Sequence, residues 1–122
     1  MRGFVAVMVA AMGASWLVGC GPACQETCFR VYDESQCGRQ ASGGVTAKQL
    51  IDTCASECES ALRNTGGMAG YDPRQRQPGV FVLQNERQAA AWMDCIDAST
   101  CEELNPALID PDDNSSSSCH PL

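Results

Sequence analysis

Histidine, basic residues, large apolar side chains and long apolar runs are all scarce in this chain. Histidine occurs once, as His120. With no Gly-x-Ser-x-Gly turn to accompany it, a hydrolase triad has no support, and no catalytic residue is expected. No two cysteines stand three positions apart. That removes both the Cys-x-x-Cys zinc knuckle and the usual dithiol redox motif, so no metal and no cofactor are expected. Basic residues number 8 against 15 acidic ones, a net charge of −7. Clusters of Lys and Arg that neutralise phosphates are missing, so nucleic acid is not an expected partner. The longest uncharged apolar stretch, Phe4 to Gly19, has 16 residues, fewer than the about 20 that cross a bilayer as a helix. Large apolar residues are sparse beyond it, and 66–79 and 106–122 carry few. A core this thin is marginal without covalent help.

The N-terminus is richer in signal. Arg2 precedes an uncharged apolar run from Phe4 to Leu17, and small residues follow. This is the layout of a secretory signal. The run closes in Leu17-Val18-Gly19-Cys20, which resembles the lipobox of bacterial lipoproteins. The resemblance implies that lipid is attached to Cys20 and that the signal peptide, residues 1–19, is cut away. Cys20 then begins a single cysteine-rich domain over 20–122. Family members kept at the inner membrane often carry aspartate after the cysteine; Gly21 stands there instead. The resemblance therefore implies an outer-membrane destination, periplasmic or surface-facing. Without residues 1–19, which hold Arg2 and no acid, the net charge moves from −7 to −8. Anionic headgroups repel such a surface, so the acyl chains are expected to hold the protein to the membrane, at about 0.8 kcal/mol per buried methylene.

Nine cysteines are present, at 20, 24, 28, 37, 54, 58, 95, 101 and 119. An odd count in an exported chain needs an explanation. If Cys20 carries lipid, eight remain for four disulfides, the default state in an oxidising compartment. Cys24 and Cys28 share one helical face, as do Cys54 and Cys58. Two such helices packed antiparallel bring the sulfurs together as Cys24–Cys58 and Cys28–Cys54. The pattern resembles the twin Cys-x3-Cys helical hairpins of small mitochondrial intermembrane-space chaperones. It implies the hairpin geometry over 22–64 and no shared activity. Cys37, Cys95, Cys101 and Cys119 allow three pairings, of which Cys37–Cys95 with Cys101–Cys119 is preferred. Acidic neighbours Glu26, Glu102 and Glu103 oppose a reactive thiolate at Cys24 or Cys101.

The chain reads as a mainly α, disulfide-stapled bundle of about three helices with long loops. A first helix spans about Pro22–Tyr32, with Cys24, Cys28 and Val31 inward. Thr46-Ala47-Lys48-Gln49 is a capping box that starts the second, with Val45 and Leu50 as a hydrophobic staple. Its inner face is Leu50, Ile51, Cys54, Cys58, Ala61 and Leu62. It ends near Asn64, where Gly66 or Gly67 suits a left-handed cap. Residues 66–79 read as an exposed loop holding Arg74 and Arg76. Val80-Phe81-Val82-Leu83 is apolar, and one strand without a partner is unstable, so it is expected to lie over the helical core. The third helix follows Asn85 as N-cap, burying Ala89, Trp92, Met93 and Ile96. Thr100-Cys101-Glu102-Glu103 is a second capping box opening a short helix over 101–105. From about 106 the acidic tail is expected to be irregular, tied down only by Cys119.

Few other features carry chemistry. Asp110, Asp112 and Asn114 share the spacing of a calcium loop, but Ser115 replaces its glycine and Pro121 its final glutamate. A solvated tail is the better reading. Asp94 and Asp97 stand one turn apart on a polar face, and Trp92 fits the core stripe. The order of cysteine blocks, with Trp92-x-x-Cys95 and Cys101-Glu102-Glu103-Leu104, resembles small cysteine-rich lipoproteins of myxobacteria and related soil bacteria. The resemblance implies a surface role, gliding motility among them. The expected function is a non-catalytic binding or structural component of the envelope, with an envelope protein as partner and contact through the Gly66–Gly79 loop with Arg74 and Arg76, plus the acidic tail. The alternatives are a periplasmic thiol-disulfide protein and a small inhibitor or toxin scaffold.

Overall fold

The computed structural model describes residues 23–41, 43–77, 79–108 and 118–122. The signal and lipobox, Pro22 and the calcium-like stretch Asp110–Ser115 lie outside the described residues. The fold is a small, mainly α bundle. Its elements are α1 (Cys24–Tyr32), α2 (Ala47–Leu62), α3 (Glu86–Ala98) and α4 (Cys101–Leu104), followed by a 3-10 turn at Pro106–Leu108.

α1 and α2 form the stapled hairpin. Cys24 bridges Cys58 and Cys28 bridges Cys54, the two rungs that the i, i+4 spacing predicts. Their Cα atoms lie 5.7 and 5.9 Å apart, so the seam admits small side chains only. That explains a departure from the expected face of α2. Ile51, Cys58 and Ala61 are buried as expected and Ala55 joins them, while Leu50 and Cys54 are half-buried and Leu62 is 40% exposed. The start of α2 is the capping box: Gln49 N donates to Thr46 Oγ1 (3.2 Å), and Thr46 N donates to Gln49 Oε1 (2.9 Å). α3 packs on both helices and buries Ala89, Trp92, Met93 and Ile96 together with Gln88 and Cys95.

The last two bridges correct the expected pairing. Cys37 joins Cys101 and Cys95 joins Cys119. The cause lies in the loop after α1, which folds back onto the helix. Cys37 N donates to the Arg30 carbonyl and Arg39 N to that of Val31, satisfying carbonyls that a helix end leaves open. This fold-back sets Cys37 beside α4. There Asn105 Nδ2 donates to the Cys37 carbonyl (3.3 Å) and Arg39 Nη1 to that of Leu104 (2.9 Å). Cys95, on the buried face of α3, is left to meet Cys119. In the chain-entropy picture each bridge contributes roughly 2–4 kcal/mol, which offsets a small core.

Three loop expectations also change. Residues 118–122 are held by far more than Cys119. Ser118 N donates to the Glu103 carbonyl, His120 N to that of Pro73, Tyr71 Oη to that of His120, and Trp92 Nε1 to that of Pro121. The 66–79 loop is not simply exposed, because Tyr71 is buried and stacks on Phe81 with ring centres 5.0 Å apart. Glycine turns at Gly66 and Gly67 do not cap α2: neither has positive φ. The helix is closed instead by Arg63 N on the Ser60 carbonyl and Asn64 N on that of Ala61. Gly66 serves close approach, since a Cβ there would lie 2.7–2.9 Å from the Asn85 side chain. Val80–Leu83 runs over the core as expected, with Leu83 buried, Phe81 half-buried and Val80 fully exposed.

Candidate functional site

Three constraints frame one cleft. The twin bridges fix α1 against α2, the cap at Asn85 fixes α3, and the Cys95–Cys119 bridge returns residues 118–122 to α3. Between them lies a cleft of about 150 Å³. Cys54, Cys58 and Trp92 line it. Leu50, Leu83 and Leu122 supply further apolar wall, and Tyr32, Thr53 and Glu57 supply its polar groups. Trp92 is 3% exposed, and its indole N–H is already satisfied by Pro121. It therefore offers the cleft an apolar surface.

Glu57 and Tyr32 set the electrostatics. Burial pushes the Tyr32 hydroxyl above the usual tyrosine range; Arg39 opposes that rise and Glu57 adds to it. Glu57 is exposed and keeps a carboxylate at the cleft rim. Arg39 is outside this cleft. It lines an adjoining, more polar recess of about 400 Å³ that shares Tyr32 and Leu50 and includes Gln40 and Thr46. The two depressions give a groove with one apolar and one polar end.

The residues singled out from the sequence distribute as follows. All eight cysteines of the four bridges are closed, so none of them offers a thiol. Arg74 and Arg76 are exposed and line neither depression. Arg76 lies near enough to His120 to depress its pKa, after burial as the larger cause and with Arg39 as a smaller one. Asp94 and Asp97 are exposed. Among the described residues, no three of His, Cys, Asp and Glu gather where they could hold a metal ion. No helix of the described residues is long and apolar enough to cross a membrane.

A second recess between α1 and α3 is lined by Glu26, Thr27, Arg30, Ile96 and Asp97. Arg30 Nη2 donates to the Ser99 carbonyl at 2.6 Å and ties the two helices. Thr27 Oγ1 and Arg30 Nε have no hydrogen-bond partner among the described residues, a cost of about 1–3 kcal/mol each.

Sequence reasoning missed the cleft because it forms from five separate segments. Two local signals pointed toward it. Glu57 directly precedes Cys58 and so borders the bridged seam. Leu122 is an apolar residue closing an otherwise polar stretch. No known protein family, curated protein or solved structure matches the chain.

Proposed function

We propose that this is a lipid-anchored, disulfide-stapled binding module of the bacterial cell envelope, with no catalytic role of its own. One observation carries the reading. Four bridges consume eight of the nine cysteines, each once. The ninth, Cys20, stands where the Leu17-Val18-Gly19-Cys20 resemblance calls for lipid. Closed bridges also favour an oxidising compartment, and they argue against the thiol-disulfide alternative. Gly21 favours the outer membrane over the inner one, and the myxobacteria-like cysteine order favours a surface assembly such as gliding motility. The contact surface is taken to be the cleft beside Trp92. Arg74 and Arg76 line neither that cleft nor the adjoining recess, and sit on a turn that Asp72 organises through the Arg74 N–H.

The experiment is fractionation of cells carrying the full chain or its Cys20→Ser variant. The native chain is expected in the outer-membrane fraction and the variant is expected to be lost from it. A Cys20→Ser chain that stays with the outer membrane contradicts the anchor.

A further inference from the structure

We propose that the cleft at Tyr32, Glu57 and Trp92 receives a single lysine side chain from a protein partner. Within the groove, the apolar end has room for little more than one side chain. Sites for drug-sized ligands enclose about 300–1,000 Å³, whereas this cleft has about 150 Å³, the scale of one side chain. Its chemistry then narrows the choice. The walls are mainly apolar, through Leu50, Leu83, Leu122 and Trp92, and the rim carries one carboxylate, Glu57.

A lysine suits that division. Its methylene stem covers apolar wall while its ammonium stays at the wet rim. The ammonium meets Glu57 there, with the Tyr32 and Thr53 hydroxyls as further acceptors. An acidic side chain would face Glu57 and a chain of net charge −7. The one cation whose charge also reaches Tyr32 is Arg39. Arg39 is not in the cleft lining, and its guanidinium is held by the Leu104 carbonyl at 2.9 Å. Like-charge repulsion of an incoming ammonium is therefore weak.

This inference deepens the binding-module reading and is independent of the lipid anchor. The test titrates the full chain, in detergent micelles, with N-acetyl-lysine methylamide, and follows the assigned indole N–H resonance of Trp92. N-acetyl-norleucine methylamide, the uncharged counterpart, runs in parallel. Lysine is expected to shift Trp92 and its cleft neighbours, and to bind about fivefold more tightly than norleucine, the upper range of an exposed ion pair. Glu57→Gln, an exposed position, is expected to remove that preference and leave the rest of the spectrum unchanged. Equal or tighter binding of norleucine, a preference that survives Glu57→Gln, or the absence of any shift with lysine overturns the proposal. The anchor is read by fractionation and mass, so the two readings fail separately.

Discussion

Trp92 donates its indole N–H to the Pro121 carbonyl at 3.0 Å, across 29 positions of sequence. Cys95, three residues after Trp92 on α3, bridges Cys119. One covalent and one polar tie thus bind residues 118–122 to a single turn of α3, and Pro121 and Leu122 close one wall of the cleft. The double variant Cys95→Ser/Cys119→Ser is expected to lose about 3 kcal/mol of unfolding free energy, from the loop-closure entropy of a 24-residue separation. Its Trp92 indole hydrogen is expected to exchange faster than in the native chain. Hydrogen exchange read by NMR checks this, and unchanged Trp92 protection would contradict the role given to residues 118–122.

Asn85 is the other organising side chain. Its Oδ1 accepts from Arg87 N and Gln88 N, both at 3.1 Å, and its Nδ2 donates to the Gly67 carbonyl at 2.8 Å. Asn85→Ala removes the α3 cap and strands the Gly67 carbonyl, an expected loss of about 2 kcal/mol. Gly66→Ala is expected to disturb the same contact, because its Cβ would collide with the Asn85 side chain. Gly67→Ala, with open space around its Cβ, serves as a near-neutral comparison. Denaturant melts of the oxidised variants check the order.

The hairpin was legible in the sequence because its signals are local and periodic. Two Cys-x3-Cys stripes, the Thr46/Gln49 box and the Asn85 cap each name their own position. The parts that were not legible depend on contacts distant in sequence. Cys37 pairs with Cys101 because backbone bonds to Arg30 and Val31 fold its loop back, which no spacing rule expresses. Gln88, in the first turn of α3, is polar and would be expected on the solvent side. It is instead a buried bracket, accepting from Gln84 N and donating to the Met68 carbonyl. The cleft was hidden for the same reason, since Tyr32, Glu57, Leu83 and Leu122 are distant in sequence and meet only in the folded chain.

His120 gives the fold a pH dependence of defined sign. Burial, with Arg76 and Arg39, holds its pKa below the ordinary value of 6.5. The unfolded chain then binds the proton more readily than the folded one. Its contribution to stability is complete above about pH 6.5 and is lost as pH falls through the folded pKa. Melting temperature is expected to drop between about pH 7.5 and pH 5, and His120→Gln is expected to flatten that slope. A slope unchanged by the substitution would place its origin in another group.

The central claim is that one cysteine carries lipid and the other eight carry the fold. Its most direct test is the intact mass of the membrane-extracted protein, alkylated without reduction. The account predicts a chain lacking residues 1–19, with acyl chains on Cys20 and no alkyl adduct, which corresponds to four closed bridges. An unacylated chain with residues 1–19 still attached contradicts the anchor. Alkyl adducts contradict the closed bridges and return the thiol reading to the front.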